Sequence, residues 1–463
     1  MNDFDFISAL NSFNEKYLPK ILIFLLVFVV GSLIVKLLLK LIRKIIDKSK
    51  IERTVITFFF SILKIVLYLI VFRKAIWGIF DPLFVTVVMM GGAAFAVFSL
   101  WLNHWADTKY LISFCFTEIC LIIGFFISTR FFTKQTYSNK INVLNVNQGF
   151  ISIFSLIVNI MALALQFFIF SQLGIGLFKE GVNHVSIYDG FGFLKASQGG
   201  FSTVAFISFF YKKKLAILNR FDCVVFFILL LAIILSGSKS GILRPISIFF
   251  IVEYYFYRRT GKTIAHVKWY NLVILCTFPL LVIVILDNVD MFQAIILFGA
   301  RLIGSGDIFV MGYNDDVIRH ISANSSLQYI LYPGWGSILK TIGFSITPPV
   351  VIGVDIYDYY YNAADAGPNA RLNFLTYYFW GTLGGSFICF LIGYYIGYFR
   401  CKYGKYKHNM FVFFVSTILY ISILSIISDL NIFLNDFFWT FAVFVVLYFI
   451  AQIVYKGITL PHE

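Results

Sequence analysis

Charge is scarce in this chain. Asp, Glu, Lys and Arg make up 13% of its 463 residues, against 60% hydrophobic residues and a mean hydropathy of +0.87. So much apolar surface has no interior to occupy in a soluble domain, which excludes that class. The ten-residue alternation of a membrane β-barrel is also missing. The apolar runs are instead continuous and roughly 18–25 residues long, the length a spanning helix needs. Isolated strands leave backbone groups unpaired in lipid, so the expected fold is an all-α polytopic integral membrane protein.

Other absences bear on function. There are six cysteines: Cys115, Cys120, Cys223, Cys276, Cys389 and Cys401. Five lie inside apolar runs and one beside a basic loop, which argues against a disulfide framework or a metal site. No histidine or carboxylate cluster has useful ligand spacing, so no metal and no cofactor is expected. No small-residue cleavage site follows the first apolar run, which is expected to be a retained helix. The formal charge of +14 does not imply nucleic acid. Its cations sit in short loops, where they orient helices.

What is present is a series of apolar runs. Two come first, over 21–35 and 54–72. Ten more follow: 83–102, 110–128, 149–170, 195–211, 221–235, 242–257, 269–286, 374–399, 410–427 and 437–455. About 12 transmembrane helices are therefore expected. The basic stretches 73–74, 130–140, 212–214, 258–268 and 400–407 fall on one side at every second crossing, which the positive-inside rule makes cytoplasmic. The 179–195 loop, the 236–241 turn and one large loop over 287–372 are then external. The basic connection 43–53 also calls for the cytoplasm. Parity therefore breaks over 54–82, where one of the first runs is interfacial or re-entrant.

Chemistry is expected on the external side. In Ser236-Gly237-Ser238-Lys239-Ser240-Gly241, free backbone amides, Lys239, the next helix's N-terminus and Arg244 suit a pyrophosphate; a flexible turn with a snorkelling lysine is the alternative. The large loop collects Arg301, Asp307, Asp315, Asp316, Arg319, His320, Asp355, Asp358, Asp365 and Arg371. Tyr313, Tyr329, Tyr332, Trp335, Tyr357 and Tyr359–Tyr361 lie among them. Carboxylates beside aromatic faces suit sugars. Arginine suits phosphate because its planar fork donates two parallel charge-assisted bonds. Arg301 and Arg319 are either such ligands or solvated loop charges; Arg371, delivered by Gly367-Pro368-Asn369-Ala370, either binds phosphate or anchors to headgroups. His320 is a general base or an ordinary loop residue. Glu253 sits near Tyr254 and Arg258, where pairing is expected. Glu118 is more central; an intramembrane carboxylate there could mark a proton path in a transporter.

Two resemblances follow from these residues. Over 21–72 the basic helix end, Lys50-Ile51-Glu52-Arg53-Thr54, Phe58-Phe59 and Ser61-Ile62-Leu63-Lys64-Ile65 resemble the first two transmembrane helices of small mechanosensitive channels of the MscS type. The β-rich vestibule of that family is absent, so 1–72 is expected to be a fused or anchoring helix pair. Residues 73–455 resemble the O-antigen polymerase family (the Wzy type). The Ser236–Gly241 turn, the single large external loop, the spacing from Arg301 to Gly312 and the Gly367–Arg371 exit before Gly381, Gly384 and Gly385 carry that likeness. It implies a metal-independent glycosyltransferase of the bacterial plasma membrane that joins undecaprenyl-diphosphate-linked oligosaccharide repeats. Arg301 and Arg371 would hold diphosphate. Ser238, Lys239, Arg244, Arg319, Tyr313, Asp355, Asp358 and Asn369 would bind substrate. Asp315, Asp316 or His320 would assist the acceptor hydroxyl. A chain-length regulator is the implied protein partner. An O-antigen ligase and a lipid-linked oligosaccharide flippase are the alternatives.

Overall fold

The computed structural model describes residues 97–98, 100–102, 104, 106–133, 147–174, 192–236, 241, 243–260, 293, 307–322, 325–336, 339, 343–345, 349–362, 367–405 and 409–459. The chain divides into two compact units, Met1–Ile76 and Trp77–Glu463. The first, with the expected helix pair at 21–72, lies outside the described residues, as does the expected span at 269–286.

The described part of the second unit is helical, with no strand among the described residues. In chain order the helices are α1 Thr108–Thr133, α2 Gln148–Leu173, α3 Gly192–Lys214, α4 Arg220–Leu235, α5 Leu243–Thr260, α6 Asp307–Gly312, α7 Asp315–His320, α8 Ser326–Leu331, α9 Ile352–Tyr361, α10 Leu372–Lys402, α11 Met410–Ile423 and α12 Leu430–Thr459. Thr108–Phe132, Gln148–Leu173, Leu372–Lys402 and Leu430–Thr459 are long and apolar enough to cross a membrane. The chain is a multi-pass helical membrane protein.

The helix ends sort by charge. Arg130, Lys212–Lys214, Arg258, Arg259, Arg400 and Lys402 occupy the last turns of α1, α3, α5 and α10, where cations favour the helix dipole. These ends meet one another. Lys405 Nζ donates to Phe132 O (3.4 Å), Arg258 Nη2 to Cys401 O (3.0 Å), and Lys214 pairs with Glu253 (2.5 Å). Lys214 is thus a partner of Glu253, which is paired as expected. The described basic ends of α1, α3, α5 and α10 gather at one end of the bundle, and α6–α9 pack at the other.

The pairing of α1 with α10 sets the frame. Gly385, Cys389, Gly393, Gly397 and Cys401 repeat every fourth residue and form a shallow ridge. A Cβ on Gly393 would run into Leu121 O, one on Gly124 into Phe390 O, and one on Gly397 into Ser128 Oγ. The register 121 to 393, 125 to 397 and 129 to 401 makes the two helices parallel. Small residues allow this close approach, which packing in lipid favours.

The expected single span at 374–399 needs correction. At Gly381 the backbone turns to φ 64° and ψ −171°, a left-handed conformation open to glycine. The arm 372–380 then folds back along 382–402. Thr376 Oγ1 lies 3.4 Å from Cys389 Sγ, whereas thirteen residues of unbroken helix would separate them by ~20 Å. The short arm is therefore re-entrant and enters the bundle from the end opposite the basic one.

Three helices fall short. At 16, 18 and 14 residues, α4, α5 and α11 reach ~24, ~27 and ~21 Å, under the ~30 Å of hydrocarbon. The expected span at 410–427 ends its helix at Ile423, and turns fill 424–428. The last span starts earlier than expected, at Leu430.

Candidate functional site

The head of the short arm is fastened to the start of α12. Leu372 N donates to Ile427 O at 3.2 Å, and the Ala370 backbone N–H donates to Asp429. Asp429 also accepts from Asn431 N (2.7 Å) and from Tyr329 Oη (3.4 Å), so it caps α12 and braces the outer helices. Burial pushes its carboxyl up to about 6 despite these donors.

Arg371 stands at the N-cap of the short arm, half-buried. Asp307, the first residue of α6, faces it electrostatically. Burial pushes Asp307 up to about 6, partly offset by the guanidinium, and pulls Arg371 below its ordinary value. Desolvation outweighs attraction on both partners, so the pair is incompletely compensated.

Arg244 enters the same region from α5. Its Nη2 lies 3.1 Å from Asp436 Oδ2 of α12, and both side chains are partly exposed. The arginine that the sequence leaves unpaired beside Pro245 thus has a partner. Asp429 and Asp436 are seven residues apart, two helical turns and ~10 Å, so they share one face of α12. The backbone beside Arg371 and the side chain of Arg244 are anchored at the start of α12. Trp335, exposed and 5.0 Å from Phe438, and Phe193, edge-on to Trp439, add aromatic faces.

Against the start of α1, α6–α9 form a lobe around Phe309, Tyr313, Val317, Ile352 and Ile356. The sharp approach of α9 to the exit loop needs glycine, since a Cβ on Gly353 would strike Pro368 O. Asp315 accepts from Lys109 Nζ (2.5 Å) and from Tyr110 Oη, bonds that hold its carboxyl below the usual range. Asp316 is exposed beside it, as are Arg319 and His320. His320 lies edge-on to Tyr359 at 5.1 Å, and Tyr357 and Tyr361 lie 4.5 Å apart. Asp355 accepts from Ser322 N (3.0 Å) and Oγ (2.8 Å), a bond set that ties α9 to the end of α7. Asp358 is half-buried on α9, and Asn369 is exposed on the exit loop. Tyr313 is 3% exposed, stacked 4.9 Å from Tyr110 inside the lobe. Arg301, Ser238 and Lys239 lie outside the described residues.

Sequence reasoning singled out Arg371, Arg244 and the lobe carboxylates. It assigned no role to Asp307, and it passed over Asp429, Asp436, Lys109 and Tyr110. A signal existed for the aspartates on α12: two carboxylates seven residues apart, leading into an apolar run, share a helix face.

A family model described as "Mechanosensitive ion channel, conserved TM helix" matches residues 16–54. The likeness expected for the N-terminal pair is thereby shown over its first part. No curated protein and no solved structure matches the chain.

Proposed function

We propose that the chain is a membrane glycosyltransferase that polymerises undecaprenyl-diphosphate-linked oligosaccharide repeats into surface polysaccharide. The observation that supports this reading is that Arg244 pairs with Asp436 of α12 while the backbone on either side of Arg371 is fastened to Ile427 and Asp429 at the start of the same helix. A lipid-linked diphosphate held by these arginines would keep its prenyl chain in the bilayer and its glycan against the tyrosines of the lobe. The basic end is assigned to the cytoplasm by the positive-inside rule and the lobe to the external side.

In the reaction, an acceptor sugar hydroxyl attacks the anomeric carbon of the growing glycan. The bond from that carbon to the lipid diphosphate breaks, and the diphosphate leaves with the electron pair. Arg371 and Arg244 would stabilise the charge developing on it, exchanging Asp307 and Asp436 for phosphate oxygens. The acceptor's proton needs a base matched to neutral pH. Asp307, raised to about 6 and beside Arg371, fits that requirement better than Asp315, which Lys109 and Tyr110 hold low. Asp316, Asp358, His320 and Arg319 line the approach to the glycan.

The test is a glycan ladder on a gel, from a strain whose polysaccharide depends on this chain. R371A should leave single repeats, and long ladders in that strain would overturn the reading. Deleting the gene separates a ligase, whose loss leaves no repeats on the lipid core. A second reading, a tension-gated channel, rests on the family match at 16–54. Patch-clamp recording of the purified protein in liposomes tests it, and the expected outcome is no conductance.

A further inference from the structure

Glu118 is the eleventh residue of α1, inside a candidate membrane span. It is 7% exposed, and its Oε1 is buried with no hydrogen-bond partner. Its Oε2 accepts from Asn373 Nδ2 at 3.3 Å, and the same amide donates to Thr117 Oγ1 at 3.0 Å. Asn373 is 2% exposed and belongs to the re-entrant short arm, two residues beyond Arg371. The titratable groups that interact with Glu118 are Cys115 on its own helix and Cys389 on the long arm. Among the described residues, no cation pairs with it. An ionised carboxylate with one amide donor in a lipid-surrounded interior is badly under-compensated, while a protonated one lacks only a weak bond.

We infer that Glu118 is a proton-holding positioning residue. Uncharged, it seats the short arm against α1 through Asn373. Ionised, it draws in water and lifts the arm, moving Arg371 off the start of α12. The physical reason is that water is the nearest source of the missing partners, and the arm carries the amide that donates to the carboxylate. The consequence for Arg371 rests on the function proposed above; the proton site and the motion of the arm do not.

Cys389 provides a built-in reporter. It is fully buried, with Thr376 of the short arm 3.4 Å from its sulfur. In lipid nanodiscs, alkylation of Cys389 by N-ethylmaleimide is followed by mass spectrometry as pH rises. E118Q keeps an acceptor for Asn373 but has no proton to lose, and it also corrects for ionisation of the thiol itself. Labelling should rise about tenfold more steeply with pH in the wild type than in E118Q, the factor that corresponds to one pKa unit of coupling. Infrared difference spectra should show a protonated-carboxyl band that E118Q removes and D307N and D429N retain. Equal pH dependence in wild type and E118Q, or no band that E118Q removes, would overturn the inference. If E118Q does not fold, N373A replaces it, with Cys389 expected to label at every pH; protection unchanged from wild type would count against the latch. Binding of undecaprenyl diphosphate separates the two proposals. If R371A leaves that affinity unchanged while Cys389 labelling still follows Glu118, the diphosphate reading fails and the proton site stands.

Discussion

Two sets of charges in this protein look alike in sequence and differ in structure. Near the basic end, Lys212 pairs with Asp222, and both are nearly inaccessible. Asp222 also accepts from Ser155 Oγ, Asn159 Nδ2 and Asn219 N at 3.0–3.1 Å, so both carboxylate oxygens are satisfied. At the opposite end, Arg244 and Asp436 form a half-exposed pair, Arg371 and Asp307 are incompletely compensated, and Glu118 leaves one oxygen bare. A saturated network holds α2, α3 and α4 together and has nothing left to offer a ligand. Unsaturated arginines keep donors that an anion can claim.

The comparison breaks most sharply at Lys212. K212A strands Asp222 in the interior and should lower stability by about 3–5 kcal/mol, seen as a large fall in melting temperature by tryptophan fluorescence in detergent. K212M combined with D222L should recover most of that loss, because no charge is left unpaired. If K212A melts like the wild type, the saturated network is not structural.

The next effect is on function. R371A should reduce polymerisation about 10²–10³-fold, the size associated with losing one preorganised charge donor, with little change in melting temperature. R371K should fail nearly as badly, since one ammonium cannot present the parallel fork. The assay is the rate of ladder growth from purified lipid-linked repeats. A variant that loses activity only because it unfolds would erase the contrast with Lys212.

Much of this was legible in the sequence, for physical reasons. Uninterrupted apolar runs and basic loop ends gave the helical membrane class and the direction of α1, α3 and α10, because bilayer thickness and cation placement act on local sequence. The break at Gly381 was not legible. Gly381, Gly384 and Gly385 lie in an apolar run, and either a close helix contact or a reversal uses such residues. Only the position of Thr376 over Cys389 decides between them. Partners far apart in sequence were hidden too. Arg244 and Asp436 are 192 residues apart, and Lys109 and Asp315 are separated by 206. Asp355 has the sequence surroundings of a sugar-binding carboxylate, whereas in the structure Ser322 saturates one of its oxygens.

A smaller effect is pH dependence. Asp307 and Asp429 are both raised to about 6 by burial, above their unfolded value. Between about pH 4 and pH 6 the folded state binds more protons, so their contribution is fully present below about 4 and is lost as pH rises through about 6. The expected outcome is a melting temperature that falls across that window. D307N should flatten roughly half of it, whereas D222N should not alter its slope. A melting temperature that climbs through the same window would show that these carboxylates are not desolvated.

The smallest expected effect is at Arg244, and it discriminates between the two charge sets. Its pair with Asp436 is partly solvated, so screening limits its worth to about 0–1 kcal/mol, and R244Q should melt within a few degrees of the wild type. D436N should be similarly mild for stability but opposite for binding. Removing the carboxylate frees Arg244, so affinity for undecaprenyl diphosphate should rise about two- to fivefold while R244Q lowers it, a difference of roughly 1 kcal/mol either way. Fluorescence titration in nanodiscs measures both. Opposite signs from the two ends of one salt bridge are what a ligand-exchanging pair gives, whereas a structural pair loses the same contact from either side and moves both variants together.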